Sequence, residues 1–344
     1  MVVNLLKKTS AIIVGVGGSA YILYIYLYVG VGNLLAILSR TDLRFLILSI
    51  AFLIVSIALH GLSWHILLGG GFRDSFKTIS TTAVSLFTSY IVPVGAASEV
   101  IRFLIATRVL NINAFLALST IFFHRICVTL SPLIAIIVVI LYAGISIVTI
   151  ERATFTTLIA IYLSFIVSPN IVALGLMKTR IFEKIVRRFE KHFERFTGQN
   201  LDSMYEVYRR SVADLLGRWR GMVALIFSMI EWVFLVLSMY SIFIALGIKR
   251  DILYAVFSIL LIQILWWILP ISFGGSIGTS DLIASIAYQF LSFPVDVSTG
   301  IVLLYRISSL TSLLILLYPS ARSIGIHVGE VRRIYREDRS GSRI

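Results

Sequence analysis

The chain has 344 residues, of which 58% are hydrophobic and only 14% are charged. This composition excludes a soluble globular domain and is typical of a protein that crosses a membrane several times. Its 30 Lys and Arg residues outnumber 17 Asp and Glu residues, giving a net charge of +13. A surplus of this size fits either nucleic acid or an anionic membrane surface. Because the basic residues flank apolar spans and no nucleic-acid-binding module is visible, we predict no nucleic acid partner.

Several apolar stretches are long enough to cross a bilayer, which takes about 20 helical residues. In chain order they lie at 11–31, 45–69, 114–142, 154–176, 221–246 and 297–319. The first is longer than the apolar core of a signal peptide, so we expect it to be retained as a span. Two further apolar regions, 77–110 and 252–293, are interrupted by proline and glycine. The sequence therefore predicts an all-α polytopic membrane protein with about six full spans and two broken regions.

Proline and glycine residues mark the point at which each broken region is interrupted. Proline removes a backbone donor, and glycine permits a tight reversal of the chain. We predict that each region is either a re-entrant hairpin or a pair of short crossings, with a hinge or gate at the break. The candidate hinge residues are Pro93, Gly95, Pro270, Gly274, Gly275 and Gly278.

The polar segments indicate how the chain is oriented. If both broken regions return the chain to the side from which it entered, the basic segment 178–220 and the tail 320–344 lie on the same side as the amino terminus. The positive-inside rule then places both termini in the cytoplasm of a multi-pass cell membrane protein. Charge does not separate hairpins from paired crossings, since both give the same parity.

The segment 178–220 has helical periodicity, with Phe182, Ile185 and Phe189 on one face and basic residues mostly elsewhere. This pattern predicts basic amphipathic helices that lie on anionic lipid at the cytoplasmic leaflet. We treat the chain as a single membrane domain, 1–344. Its parts are a first repeat at about 45–143, these cytoplasmic helices, a second repeat at about 221–319 and the basic tail 320–344.

The two repeats are recognised by their charged residues. Glu99 precedes Arg125 by nearly the same number of residues as Asp281 precedes Arg306, and each acid follows a Pro/Gly break. Under the predicted topology the two units are inverted relative to each other. Inverted repeats with broken helices are a recurrent plan of membrane transporters.

The charged side chains inside the spans need partners, because one charge at the bilayer centre costs at least about 2.5–3.5 kcal/mol. Glu99 and Arg102 stand three residues apart on a predicted helix and are expected to pair. Arg125 and Arg306 then remain, and Asp281 serves only one of them well. This surplus of arginine predicts a positive cavity suited to phosphate. The alternative is a set of static ion pairs that orient the helices.

Other ionisable residues in the spans are interpreted more simply. Glu231 is a candidate counter-ion for Arg306 or a coupling-ion site. His60 and His65 do not share a helix face as a metal pair would, so we expect them to be packed or interfacial. His124 is expected to point away from its neighbour Arg125, with a proton-relay role as the alternative.

Two sets of motif residues follow one another along the chain: Pro93, Glu99-Val-Ile-Arg102 and His124-Arg125, then Leu269-Pro270, Gly274-Gly275-Ser-Ile-Gly278-Thr-Ser-Asp281 and Tyr305-Arg306. Over roughly 10–320 they resemble the flippase-like domain family, the transmembrane region of lysylphosphatidylglycerol synthases. The resemblance implies a polytopic bundle that translocates aminoacylated phospholipid or polyprenyl-phosphate-linked sugar. It also implies that these acids and arginines form the family's two acid–arginine sets.

The expected function is therefore lipid transport: a flippase that moves a phosphate-bearing lipid between leaflets. The expected substrate-binding residues are Glu99, Arg102, Arg125, Glu231, Asp281 and Arg306. No paired-acid motif, cysteine cluster or aminoacyltransferase domain is visible, so we expect no catalytic residue, metal or cofactor. The alternatives are a polytopic enzyme acting on lipid-phosphate and a non-transporting membrane scaffold. A glycosyltransferase or lipid-synthase partner is compatible with the sequence, which identifies none.

Overall fold

The computed structural model describes residues 16–71, 74–91, 97–143, 156–157, 159–168, 170, 172, 219–268 and 278–325. Every regular element in these ranges is a helix, which confirms the predicted all-α class. The helices are α1 (Val16–Val29), α2 (Val31–Ser39), α3 (Leu43–Leu68), α4 (Ser75–Ile91), α5 (Ala97–Arg108), α6 (Ala114–Ala143), α7 (Trp219–Ala245), α8 (Ile252–Ile268), α9 (Thr279–Gln289) and α10 (Val295–Ser323). A π-helical turn, Leu163–Val167, belongs to the partly described stretch before α7.

Four of the described helices, α3, α6, α7 and α10, contain a segment long and apolar enough to cross a membrane. Their bounds lie close to the predicted spans, because each is a continuous apolar run between polar ends. The first predicted span differs, since α1 ends at Val29 and α2 continues at 89° to it. Gly30, with φ of 80°, makes this bend. If α1 and α2 count as one bent span, the described ranges hold up to five.

Local sequence explains where α3 begins and ends. Asp42 precedes its first turn and accepts a hydrogen bond from the backbone N–H of Arg44 at 2.9 Å, as an N-cap does. Gly69 ends the helix with φ of 72°, a left-handed conformation that glycine adopts readily. Between these caps, Leu43, Ile47 and Val55 expose apolar side chains, as expected of a surface that faces lipid.

The opposite face of α3 packs against α7 through small residues. The Ser49 and Ser238 hydroxyls lie 2.8 Å apart, and those of Ser63 and Ser228 lie 2.9 Å apart. The Ser63 hydroxyl also donates to the carbonyl oxygen of Ala224 at 2.8 Å. Small residues of this kind let membrane helices approach closely and hydrogen-bond across the contact. This contact fixes α3 against α7 near the candidate site.

The two broken regions contain two helices each, as predicted. In the first, α4 precedes residues 92–96 and α5 follows them; in the second, α8 and α9 flank residues 269–277. The 12 residues of α5 and the 11 of α9 are too few to cross a bilayer alone, since a crossing takes about 20. Five predicted hinge residues, Pro93, Gly95, Pro270, Gly274 and Gly275, lie outside the described residues.

The largest apolar core joins helices of the carboxyl-terminal half, with Phe243, Leu260, Tyr288 and Ile301 completely buried in it. A smaller cluster in the amino-terminal half contains Trp64. In each half a short helix packs beside the long helix that follows it, α5 beside α6 and α9 beside α10. The first of these helix pairs carries Glu99 and Arg125, and the second carries Asp281 and Arg306.

Candidate functional site

The first ion pair joins α5 to α6. Glu99 lies in the first turn of α5, and its Oε1 accepts a hydrogen bond from Arg125 Nη1. Ser98 Oγ donates to the other carboxylate oxygen at 2.7 Å. The side chains of Arg125 and Glu99 are 34% and 25% exposed. This pair is therefore within reach of a ligand.

The second ion pair joins α9 to α10. Asp281 lies in the first turn of α9, and its Oδ1 accepts from Arg306 Nε at 3.0 Å and from Nη2 at 2.6 Å. The same Nη2 donates to Ser280 Oγ at 2.9 Å, and the guanidinium lies 5.2 Å from the centre of the Tyr90 ring. Arg306 and Asp281 are only 13% and 8% exposed. The second pair is therefore more enclosed than the first.

The two pairs have the same design. Each acid stands in the first turn of a short helix after a break, and its arginine stands on the following long helix, 26 residues later in the first case and 25 in the second. Backbone N–H groups at a helix amino terminus favour anions, so each acid occupies a position suited to negative charge. In both pairs a guanidinium therefore lies close to the amino terminus of a short helix.

Asp281 has a second contact that defines the turn before α9. Its Oδ2 accepts a hydrogen bond from the backbone N–H of Gly278 at 3.0 Å. Gly278 has φ of 91°, and a Cβ there would lie 2.6 Å from the carbonyl carbon and oxygen of Gly17 on α1. Of the predicted hinge residues, Gly278 is the one that the structure describes, and it holds a conformation that favours glycine.

The predicted pairing of Glu99 with Arg102 is wrong. Glu99 binds Arg125 on the neighbouring helix, while Arg102 turns into the protein and is 3% exposed. Spacing along α5 allowed the local pair, but packing of α6 against α5 brings a second guanidinium to the carboxylate. The predicted surplus, in which Asp281 serves only one of Arg125 and Arg306 well, is therefore wrong as well, since Glu99 binds Arg125 and Asp281 binds Arg306.

Arg102 instead belongs to a group of four side chains from four helices, named here the histidine–arginine cluster: His60, Arg102, His124 and Glu231. Arg102 Nη2 lies 3.0 Å from His60 Nε2, and Arg102 Nη1 lies 3.1 Å from His124 Nδ1. Trp64 covers the guanidinium, with its ring centre 5.2 Å away. Within the described ranges, no carboxylate is paired with Arg102.

Glu231 completes the cluster from α7. Its Oε1 lies 2.8 Å from His60 Nδ1. The suggested role of Glu231 as counter-ion to Arg306 is therefore wrong, because Asp281 takes that place. The interpretation of His60 as packed or interfacial, and of His124 as pointing away from Arg125, did not foresee the contacts of both with Arg102. Ionisable side chains inside apolar spans were the available signal, since such residues carry a cost that packing alone does not offset.

Among the described residues, the space beside the second ion pair is small. Beside the second pair lies a cavity of about 30 Å³ lined by Tyr90, Ser280, Asp281, Tyr305 and Arg306, with apolar residues of α8. This volume fits water rather than a lipid headgroup. Among the described residues, no three His, Cys, Asp or Glu side chains are grouped as a metal site requires. Binding of a headgroup at the second pair would therefore require the helices to move apart.

Comparison of the sequence with those of known proteins identifies the family of the chain. The "UPF0104 membrane protein MJ1595" of Methanocaldococcus jannaschii is 25% identical over 317 residues, which cover 88% of this chain and 92% of that protein. No solved structure is significantly similar to the chain. The family model described as "Lysylphosphatidylglycerol synthase TM region" matches residues 11–316, which include both ion pairs and the histidine–arginine cluster. The chain thus belongs to the lysylphosphatidylglycerol synthase transmembrane-region family, as its motifs predict.

Proposed function

We propose that the protein is a lipid transporter of the flippase type, which moves a phosphate-bearing lipid between the two leaflets. The observation that carries this proposal is the pair of equivalent acid–arginine contacts, Glu99–Arg125 and Asp281–Arg306, at the starts of short helices in an apolar protein. The substrate class is a phospholipid or a polyprenyl-phosphate-linked sugar, because both carry the phosphate that a guanidinium binds well.

The proposed transport step is an exchange of anions at arginine. Without substrate, Glu99 occupies Arg125 and keeps its charge compensated in an apolar environment. An arriving lipid phosphate displaces the carboxylate and takes over its hydrogen bonds, so no guanidinium is left unpaired. The greater exposure of the first pair makes Arg125 the first contact and Arg306 the second. Movement of the broken regions opens the second pair.

The exchange uses two inverted repeats, 45–143 and 221–319, within about six full spans and two broken regions. Their like design, a short helix that carries the acid and a long helix that carries the arginine, supports the repeat. Basic residues in 178–220 and in the tail support a cytoplasmic location for both termini in the cell membrane. The basic segment binds anionic lipid at the cytoplasmic leaflet. A glycosyltransferase or lipid synthase that makes the substrate is the natural partner.

Transport is favoured over chemistry on the lipid phosphate. A metal-dependent transferase would need grouped acids, and a transporter needs acids that can exchange with substrate. Glu99, Asp281 and Glu231 each contact a different basic partner and stand apart from one another. Pairing of each arginine with an acid suits a transport site, because the acid balances the arginine's charge whenever no phosphate is bound.

The test is transport by the purified protein in liposomes. Fluorescently labelled phospholipid or polyprenyl-phosphate sugar is placed in both leaflets, and a membrane-impermeant quencher reports how fast the inner-leaflet label emerges. Wild-type protein is expected to expose the inner label. Arg125→Ala and Arg306→Ala are each expected to slow this exposure at least about tenfold, because loss of one charge-assisted contact is worth about 1.5–3 kcal/mol.

Arg40→Ala is the matched control, since Arg40 lies exposed at the end of α2 and outside both pairs. It is expected to transport like the wild type. Wild-type protein that moves neither lipid, or arginine variants as fast as Arg40→Ala, would overturn the proposal. In the second case the ion pairs are static links between helices.

A further inference from the structure

The histidine–arginine cluster has a hydrogen-bond pattern that fixes where its protons lie. Guanidinium nitrogens only donate, so His60 Nε2 and His124 Nδ1, which face Arg102 at 3.0 and 3.1 Å, both act as acceptors. A neutral His60 therefore carries its proton on Nδ1 and donates it to Glu231 Oε1 at 2.8 Å. A neutral His124 carries its proton on Nε2. Both histidines are thus uncharged while Arg102 sits between them.

Three polar atoms of this cluster are buried without a hydrogen-bond partner: Glu231 Oε2, Arg102 Nε and His124 Nε2. Their residues are 6%, 3% and 1% exposed, so bulk water does not reach them. Buried polar groups in proteins are nearly always paired, so unpaired ones call for a cause such as strain, a bound water or ion, or a role in function. Of these three atoms, Glu231 Oε2 is the only acceptor, so it is the one that can bind a proton inside the protein.

An additional proton cannot be placed on either histidine without moving Arg102. A proton on His60 Nε2 or His124 Nδ1 would set an N–H against the guanidinium N–H, bringing two donors and two positive charges together. The His60 and His124 rings are also in edge contact, with centres 4.4 Å apart, so a positive charge on one ring would lie close to the other. Protonation of either imidazole and the position of Arg102 are therefore linked.

The charged groups around the cluster determine which acid Arg102 can pair with after it leaves the histidines. The charged groups that interact electrostatically with Arg102 are Glu99, Glu231 and Arg125. Those that interact with His124 are His60, Arg102 and Arg125. Other helices packed on α3 and α5 direct their charges elsewhere: α4 holds Tyr90 against Arg306 and Lys77 near Asp74, and Arg306 on α10 holds Asp281. Glu99, one turn before Arg102 on α5, and Glu231 are the two nearby acids, and when Glu231 holds the proton Glu99 is the one that keeps a negative charge to receive the guanidinium.

We propose that the histidine–arginine cluster is a proton-binding site that couples proton uptake to lipid exchange at Arg125. The proton comes from water on one side of the membrane and is held by His60 and Glu231. Arg102 then leaves the imidazoles and pairs with Glu99. Glu99 thereby loosens its hold on Arg125, and the lipid phosphate takes the place of the carboxylate there. Loss of the proton returns Arg102 to the histidines and Glu99 to Arg125, which expels the phosphate.

Coupling to lipid exchange rests on the proposed function, whereas proton binding does not. Proton binding is therefore tested first without any lipid substrate, by the tryptophan fluorescence of the purified protein. Trp64 lies against the Arg102 guanidinium, so departure of Arg102 is expected to change its emission. We expect the emission to change with pH if Arg102 leaves the imidazoles when the cluster takes up a proton. Trp64→Phe assigns the signal by removing it.

Glu231→Gln and His60→Gln are expected to abolish this titration, because each removes a proton-holding group. His65→Gln is the matched control on the same helix: its Nδ1 contacts Thr78 at 3.1 Å, outside the cluster, and its titration is expected to match the wild type. Emission that is constant with pH in the wild type, or a titration that survives both Glu231→Gln and His60→Gln, would overturn proton binding at this cluster.

Coupling is tested in liposomes with an imposed pH gradient and a pH dye inside. Wild-type lipid transfer is expected to change in rate with the gradient and to carry protons, and Glu231→Gln is expected to lose both responses. Lipid transfer that ignores the gradient while the fluorescence titrates would overturn the coupling. A fluorescence titration in a protein that moves no lipid would overturn the proposed function and leave proton binding supported.

Discussion

The three intramembrane arginines have the same side chain but different surroundings. Arg125 and Arg306 each bind a carboxylate at the start of a short helix, and Arg102 lies between two imidazoles and a tryptophan ring. Arg306 is also held by Ser280 and Tyr90. At the residue scale, two arginines thus bind acids and the third binds imidazoles. Under the proposed function the first two are anion-exchange positions, and the third changes partners with protonation.

The enclosed pair Asp281–Arg306 allows a test of charge compensation. Asp281→Asn keeps an oxygen for the Gly278 N–H but leaves Arg306, 13% exposed, without its carboxylate. Removing one partner of a buried ion pair costs about 3–5 kcal/mol, so we expect a clear fall in the thermal midpoint of the protein in detergent.

The double variant Asp281→Asn/Arg306→Met supplies the comparison. It removes both charges and fills the space with an apolar chain, a change that is often neutral for a buried pair. We expect its midpoint to lie closer to the wild type than that of Asp281→Asn. Equal loss in the single and double variants would show that the pair contributes packing rather than charge balance.

At the element scale, the start of α9 depends on a close approach to α1. A Cβ at Gly278 would stand 2.5 Å from the Gly18 nitrogen and 2.6 Å from the Gly17 carbonyl group, all backbone atoms that cannot move independently. The positive φ of 91° adds to the demand for glycine. The position of Asp281, three residues later, is therefore set by a contact between two helices.

Gly278→Ala tests this contact. The strained backbone alone is expected to cost about 1–3 kcal/mol, and the clash with α1 adds to it, so we expect a lower thermal midpoint. Gly18→Ala is the control, because a Cβ at Gly18 meets no atom within 4 Å. We expect the control to be neutral. A Gly278→Ala protein as stable as Gly18→Ala would mean that α1 and α9 are not held together at this point.

At the scale of the whole molecule, continuous apolar runs predicted most helices well. The bounds of α3, α7 and α10 lie within a few residues of the predicted spans, because apolar length and polar ends decide where a helix crosses. The bend at Gly30 was not predicted, because a single glycine in an apolar run is also compatible with a straight helix. The short helices on either side of each Pro/Gly break were predicted from the break itself.

Partners of the charged residues were harder to predict than the helices. The spacing of Glu99 and Arg102 favours a contact along one helix, and a sequence does not state which neighbouring helix will offer a better one. Arg125 is that better partner, and its arrival leaves Arg102 to His60 on a helix far away in sequence. The recurrence of an acid after each break and an arginine on the next span identified Glu99, Arg125, Asp281 and Arg306 as related residues, but it did not predict that Glu99 binds Arg125.

Lipid transport by Glu99→Gln/Arg125→Met is the most direct measurement of anion exchange at arginine. Both charges of the first pair are removed together, so neither partner is left without the other, and the variant is expected to fold with near wild-type stability. If Arg125 binds the lipid phosphate, the folded variant moves labelled lipid in liposomes at least about tenfold more slowly than Arg40→Ala. Transport at the rate of Arg40→Ala would instead show that the pair only joins α5 to α6.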